Sequence, residues 1–213
     1  MAKRIFITAT NTDIGKTYTT KLLLKTYTKL GYKVAAFKPI ETGVTNKPED
    51  GEELLKLMQE LNPQLNNLHV NDIVPIQFTL AAAPYIANKA DKIDKTIILK
   101  ALKKVESLCD ILIIEGAGGL YVPIDKETMM IDLIDLFKAK VLLISHCRLG
   151  CINDTLLSIK ALKDKKIDFS WALNCRDTDE NFKLVSKTYF HDNFNKVYYI
   201  NDDLNELAYT LIT

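Results

Sequence analysis

The chain has 213 residues, of which 47% are hydrophobic and 26% are charged, with a formal net charge of +1. This length suits one α/β domain over residues 1–213 with a full hydrophobic core. The balanced charge gives no electrostatic reason to expect a nucleic-acid or membrane partner, and we expect neither.

Six apolar runs alternate with amphipathic patterns along the chain. The runs are rich in β-branched residues and Leu and lack polar alternation, which is typical of strands covered on both faces of a parallel sheet. They cover residues 4–9, 33–37, 111–115, 141–145, 169–173 and 197–200. The alternation predicts an α/β fold: a three-layer sandwich with a mainly parallel central sheet flanked by helices.

Apolar stripes at helical spacing predict the helices between these strands. Leu23, Tyr27 and Leu30 form the first stripe, and Gly31 follows as a stop signal. Two more stripes lie over residues 98–108 and 152–162, and residues 52–61 form a further predicted helix.

The start of the chain and the length of its apolar runs indicate a cytoplasmic location. The first residues enter a strand without the apolar stretch of a signal peptide, and no apolar run is long enough to span a bilayer. Cys109, Cys147, Cys151 and Cys175 form no C-x-x-C pair, so we expect reduced thiols that pack as small apolar residues. His146 precedes Cys147, but nothing indicates an activated thiol, and we assign this pair to packing at the rim.

The most informative segment is T-N-T-D-I-G-K-T at residues 10–17, between the first strand and the first helix. In a phosphate loop, backbone N–H groups face the anion, a Lys adds positive charge and a Thr hydroxyl holds Mg²⁺, roles that fall here to Lys16 and Thr17. Thr10 stands where the general pattern has Gly, which weakens the match. The flanking strand and helix still predict a nucleoside triphosphate site rather than an ordinary turn with an exposed Lys.

Three other segments follow predicted strands, at the sheet edge where such folds bind ligands: residues 37–43, 115–119 and 148–153. Glu115 ends an apolar strand and is placed to assist Mg²⁺. Lys38 either neutralises negative charge as a transition state develops or is a solvated strand-end residue.

Two positions remain open on local pattern alone. Asp50 is favoured as a helix N-cap, but it is also a candidate second Mg²⁺ carboxylate, with Glu52 and Glu53 as competitors. Asn153 is either a plain first-turn residue or a substrate contact, since residues 150–153 open a helix whose free N–H groups suit a carboxylate.

Taken together, these motifs resemble the dethiobiotin synthetase family. T-N-T-D-I-G-K-T, K-P-I-E-T-G, E-G-A-G-G-L-Y-V-P and L-G-C-I-N stand in that family's order and spacing, over about residues 3–175. The resemblance implies a P-loop NTPase fold and an ATP- and Mg²⁺-dependent ligase that joins CO₂ to 7,8-diaminopelargonate and closes a cyclic urea. It also implies a homodimer in which the partner subunit contacts the substrate carboxylate.

The resemblance also implies residue roles. Catalysis falls to Lys38, Lys16 and Thr12, and metal binding to Thr17, Asp50 and Glu115. Nucleotide binding involves Asp13, Ile14, Gly15, Lys16, Thr17, Tyr18, Asp50, Glu115, Gly116, Ala117, Gly118, Asn174 and Cys175. Substrate binding involves Thr42, Gly118, Leu149, Gly150, Cys151, Ile152 and Asn153.

The sequence departs from the family after Asn174, the position expected to recognise adenine. No Pro-containing base-binding loop follows, so we expect weaker base discrimination and use of other nucleoside triphosphates as well as ATP.

Competing functions share the phosphate loop. A partition or septum-positioning ATPase usually has an extra Lys early in the loop, where Thr10 and Asn11 stand here. An amidotransferase-type ligase needs a glutaminase domain for which 213 residues leave no room. A small GTPase needs an N-K-x-D pattern, which is missing.

Overall fold

The computed structural model describes residues 2–88, 92–176, 179 and 181–213. Its central sheet has six strands in the order β2-β5-β1-β6-β7-β8, and β3 and β4 form a separate small sheet. All strand pairs within these sheets are parallel. The strands are β1 (Lys3–Ala9), β2 (Val34–Phe37), β3 (Ile40–Thr42), β4 (Ile76–Phe78), β5 (Ile111–Gly119), β6 (Lys140–His146), β7 (Phe169–Asn174) and β8 (Tyr198–Tyr199).

Helices flank the central sheet, which confirms the predicted α/β sandwich. They are α1 (Lys16–Lys29), α2 (Glu49–Leu61), α3 (Val70–Ile73), α4 (Pro84–Ala87), α5 (Lys95–Glu106), α6 (Asp132–Phe137), α7 (Cys151–Asp164), α8 (Phe182–Val185), α9 (Lys187–Asn193) and α10 (Leu204–Ile212), with a short 3₁₀ helix at Pro63–Leu65. None of the helices among the described residues is long and apolar enough to cross a membrane.

The core lies on both faces of β1 and β5, the two central strands that also carry the site. Ile5, Phe6 and Ile7 are completely buried, as is the 111–114 segment of β5. Burying such a side chain stabilises the fold by about 1.5–3 kcal/mol each. All six predicted strands are confirmed by the six-stranded central sheet. Their continuous apolar runs fit this sheet because helices cover both of its faces.

Three local predictions need correction. The glycine-rich segment after Glu115 continues β5 as far as Gly119, which pairs with Ala9 of β1. The helix expected from residue 52 begins at Glu49 with Pro48 at its N-cap, so Asp50 is a helical residue and the N-cap interpretation is wrong. The small strands β3 and β4 were not expected, because three residues are too few to show a periodicity.

A disulfide joins Cys147 to Cys175, so the prediction of four reduced thiols is wrong for this pair. The strand register explains the contact: His146 of β6 lies opposite Asn174 of β7, and each cysteine is the next residue of its chain segment. Cys109 and Cys151 are free.

Candidate active site

The segment between β1 and α1 forms a loop with free N–H groups at the start of the helix. Gly15 is the N-cap of α1 and has φ 99°, a conformation that glycine adopts without strain. A Cβ atom at this position would lie 2.1 Å from Nδ2 of Asn174, so a close approach between the loop and β7 also requires glycine. Lys16 Nζ donates to the carbonyl of Asn11 at 3.2 Å, which holds the ammonium over the loop. The loop is thus shaped to surround an anion.

Beside the loop, Lys38 bridges two carboxylates. Its Nζ lies 2.7 Å from Asp50 Oδ2 and 2.7 Å from Glu115 Oε1. Only 4% of Lys38 is exposed, so the solvated interpretation of this lysine is wrong. Burial opposes its charge, but the attraction of Glu115 and Asp50 outweighs burial and raises the pKa of Lys38. This side chain therefore remains a cation throughout the physiological pH range.

Glu115 is completely buried at the centre of this cluster. The hydroxyl of Thr17 donates to Oε1 at 2.8 Å, and the hydroxyl of Thr20 lies 3.0 Å from Oε2. Both threonines lie on α1, one turn apart, so the first turns of this helix hold the carboxylate that ends the apolar part of β5. These contacts tie the phosphate loop to the Lys38 cluster.

The charges in the cluster are strongly coupled. Burial lowers the pKa of Lys16 to about 8, and Glu115 offsets part of this effect. Burial raises the pKa of Asp50, but Lys38 outweighs burial and brings the net pKa of this carboxyl below its ordinary value. The site therefore favours an ionised Asp50 beside a protonated Lys38, while burial brings the pKa of the second lysine, Lys16, down toward neutrality.

A cavity of about 590 Å³ opens above these side chains. Eleven residues with predicted roles line it: Thr12, Asp13, Gly15, Lys16, Thr17, Lys38, Thr42, Asp50, Glu115, Ala117 and Gly118. Asp50 is the acidic residue of α2 that reaches this cavity, because Glu52 lies 3.8 Å from Lys47 and Glu53 contacts Lys21 instead. Three of the four segments predicted at the ligand-binding edge of the sheet therefore line this one cavity.

The fourth segment predicted at the ligand-binding edge of the sheet, residues 148–153, does not line this cavity. Gly150 is the N-cap of α7, and Leu149 borders a separate cleft of about 260 Å³. Asn153 Nδ2 contacts Asp154 Oδ1 of the same turn at 3.2 Å. His146 Nε2 lies 3.0 Å from Asp154 Oδ2, and its Nδ1 accepts from the N–H of Arg148. The structural assignment of His146 at this edge of the sheet is therefore confirmed, since His146 connects the backbone of Arg148 to Asp154 of α7.

Three further residues predicted to bind nucleotide, Asn174, Tyr18 and Cys175, have defined contacts outside the cavity lining. Asn174 Nδ2 donates to the carbonyl of Ile14 at 2.8 Å. The hydroxyl of Tyr18 donates to Asn201 Oδ1 at 2.8 Å. Cys175 follows Asn174 and is held by its disulfide.

Two residues that line the cavity were missed by sequence reasoning. The guanidinium of Arg176 donates to the carbonyl of Asp13 in the phosphate loop. Glu41 is buried and accepts from the backbone N–H groups of Asp50 and Gly51. Glu41 lies within the K-P-I-E-T-G segment, so its position in a functional motif was the available signal.

Comparison with known proteins identifies the family of the chain. A family model described as an AAA domain matches residues 3–192. The ATP-dependent dethiobiotin synthetase of Sulfurovum sp. (strain NBC37-1) is 44% identical over 186 residues, covering 87% of this chain and 89% of that protein. The synthetase of Wolinella succinogenes is 37% identical over 215 residues, covering 99% of each chain.

Solved structures resemble the chain in fold alone. A plasmid partition protein from Borrelia burgdorferi superposes with a TM-score of 0.56 at 13% identity, covering 100% of this chain and 97% of that one. The MinC:MinD cell division complex of Aquifex aeolicus gives 0.55 at 17% identity, covering 97% and 85%. The sequence relatives decide the family: the chain belongs to the ATP-dependent dethiobiotin synthetases, the C–N-bond-forming ligases of biotin biosynthesis.

Proposed function

We propose that this ligase closes the urea ring of dethiobiotin from 7,8-diaminopelargonate and CO₂, supplied from bicarbonate, and that its ATP reaction requires Mg²⁺. The observation that carries the proposal is the junction of the phosphate loop with the buried Lys38–Asp50–Glu115 cluster in one cavity. This junction places phosphate-binding groups next to a lysine in a shielded site, where a cation stabilises developing negative charge most effectively.

The chemistry needs positioning and charge neutralisation rather than a protein nucleophile. One substrate amine adds to CO₂ and loses a proton to give a carbamate. A carbamate oxygen attacks the γ-phosphorus and ADP leaves, which gives a carbamic–phosphoric anhydride. The second amine then attacks the carbonyl carbon, phosphate leaves with the bridging oxygen, and the amine proton is released.

Lys16 and Lys38 neutralise charge on different groups during the phosphoryl transfer. Lys16, over the loop, neutralises the triphosphate, and Lys38 stabilises the carbamate and the transferring phosphoryl group. Thr12 lines the cavity and would contact the transferring phosphoryl group. Since Lys38 is held by two carboxylates, its ammonium is fixed in place before substrate arrives.

The donor set fits Mg²⁺, because the hydroxyl of Thr17 and the carboxylates of Asp50 and Glu115 are hard oxygen ligands. No group of three or more His, Cys, Asp or Glu side chains suited to a metal occurs among the described residues, so phosphate oxygens would complete the coordination sphere, as is usual for this ion. When bound, Mg²⁺ would neutralise charge on the triphosphate.

The substrate extends beyond the cavity of one chain. Thr42 and Gly118 line the cavity and would contact the diamine end. Leu149, Gly150, Cys151, Ile152 and Asn153 do not line this cavity. Leu149 borders a different cleft and is 87% exposed. We therefore propose a homodimer in which this loop binds the substrate carboxylate at the partner's cavity, with the free N–H groups at the start of α7 facing the anion.

The nucleotide base lies toward Asn174 in this proposal. Ile14 of the loop contacts Asn174, Cys175 follows Asn174, and we propose Tyr18 of α1 and Gly116 of β5 as further nucleotide contacts. We place the enzyme in the cytoplasm, where ATP and bicarbonate are available to it.

Phosphate release tests the proposal directly. Release from ATP should require both diaminopelargonate and bicarbonate, should be abolished by chelation of Mg²⁺, and should match dethiobiotin formation mole for mole. Phosphate release that is indifferent to diaminopelargonate would contradict the proposal and favour a regulatory ATPase.

A further inference from the structure

Glu41 is a buried carboxylate in the cavity wall that the reaction steps above do not use. Its Oε1 accepts from the N–H of Asp50 at 3.1 Å, and its Oε2 accepts from the N–H of Gly51 at 3.0 Å. Both oxygens are therefore occupied by the backbone of α2 at the point where Asp50 projects into the cavity. The side chain is 6% exposed, so these hydrogen bonds are sheltered from water.

The local sequence makes α2 dependent on this contact. Pro48 is the N-cap of the helix and supplies no side-chain hydrogen bond. The first-turn N–H groups of a helix need a hydrogen-bond acceptor. Here the side chain of Glu41, which lies in β3, is that acceptor. A carboxylate also interacts favourably with the positive end of the helix dipole.

The packing around Gly51 shows how closely the two segments approach. A Cβ atom at Gly51 would lie 2.4 Å from Val74 Cγ2 and 3.3 Å from Glu41 Oε2. The first turn of α2 is thus pressed between Glu41 and the end of α3. The backbone at Asp50 and Gly51 is held by Glu41 on one side and packed against Val74 on the other, which sets the direction in which Asp50 leaves the helix.

We infer that Glu41 is a positioning residue, which holds the Asp50 carboxylate toward Lys38 and the proposed Mg²⁺ site through the backbone of α2. This inference rests on the proposed metal role of Asp50. Partners that orient a ligating carboxylate contribute to metal affinity without touching the metal.

The test is a double-mutant cycle on Mg²⁺-dependent nucleotide binding. Binding of a fluorescent ATP analogue is titrated with Mg²⁺ in the wild type, E41Q, D50N and the double variant. We expect E41Q to raise the half-saturating Mg²⁺ concentration about tenfold in the Asp50 background. In the D50N background we expect a change below about twofold, since the residue through which Glu41 acts is already disabled.

The control is E49Q, which removes one negative charge from the same helix turn at an exposed position. It should leave the Mg²⁺ titration unchanged. E41D keeps the charge but is one methylene shorter, so it should give a smaller increase than E41Q and serves as the second variant if E41Q does not fold.

Equal effects of E41Q in both backgrounds would overturn the inference alone, because Glu41 would then act independently of Asp50. An unchanged Mg²⁺ requirement in E41Q would overturn it as well. A normal Mg²⁺ requirement in D50N would overturn the metal role of Asp50 in the proposed function, and the inference with it.

Discussion

Lys38→Met should separate chemistry from nucleotide binding. Methionine keeps most of the buried volume of lysine but removes the ammonium that contacts Asp50 and Glu115 at 2.7 Å each. Because the phosphate loop itself is untouched, we expect ATP affinity to fall much less than turnover.

The magnitude follows from the two ion pairs. At an effective dielectric constant of about 20, each contact at this distance gives a gross attraction of about 6 kcal/mol, most of which is offset by desolvation of the ions. Removing one partner of such a buried cluster destabilises a protein by about 3–5 kcal/mol. Loss of a donor aimed at transition-state charge lowers kcat by about 100- to 1,000-fold.

A second variant separates these two effects. Lys38→Met combined with Glu115→Gln removes the charge of the completely buried carboxylate, so stability should recover. Turnover is compared only for the single variant, because Glu115 is itself proposed to assist Mg²⁺. Lys104→Met is the matched control, since Lys104 forms a surface ion pair with Asp72 at 2.6 Å, away from the cavity. Dethiobiotin formation, ATP-analogue binding and thermal unfolding are measured on each variant. Turnover of Lys38→Met within tenfold of the wild type would refute the charge-stabilising role.

Three further predictions concern the disulfide, the base and the core. Titration of the denatured, unreduced chain should find two free thiols, and four would contradict the bridge. Replacing Cys147 and Cys175 by Ser should lower the free energy of unfolding by about 3–4 kcal/mol, because the unfolded chain gains the entropy of the opened loop. Turnover of ATP, GTP and CTP should agree within about tenfold, because Asn174 commits one N–H to the loop and the sequence after it contains no Pro, whereas the family's base-binding loop does. A large preference for ATP would contradict this prediction. Arg4→Met should lower the free energy of unfolding by about 3 kcal/mol and leave KM unchanged, since Arg4 contacts Glu106 twice in a largely buried ion pair. A loss of under about 1 kcal/mol in thermal melts would count against this prediction.

The sequence predicted the sheet well because its central strands are continuous apolar runs with one physical solution. Segments 5–9 and 111–115 are buried on both faces, so neither could form a surface strand or an amphipathic helix. The position of the phosphate loop followed directly, since it lies between the first strand and the first helix.

What the sequence did not reveal depends on contacts between distant segments. The Cys147–Cys175 bridge spans 28 residues and follows from the register of β6 against β7, which no local pattern encodes. The burial of Lys38 depends on two carboxylates from other elements. Glu41 reads as a polar residue in a turn, and its contact with α2 exists only because β3 brings it there.

The most direct test of the proposed ring closure follows the oxygen atoms of bicarbonate into the products. Freshly prepared ¹⁸O-labelled bicarbonate is mixed with enzyme, Mg²⁺, ATP and diaminopelargonate, and the released phosphate is analysed by mass spectrometry before the label exchanges with water. If a carbamate oxygen attacks the γ-phosphorus, each phosphate carries one labelled oxygen. Unlabelled phosphate accompanying dethiobiotin formation would contradict the account.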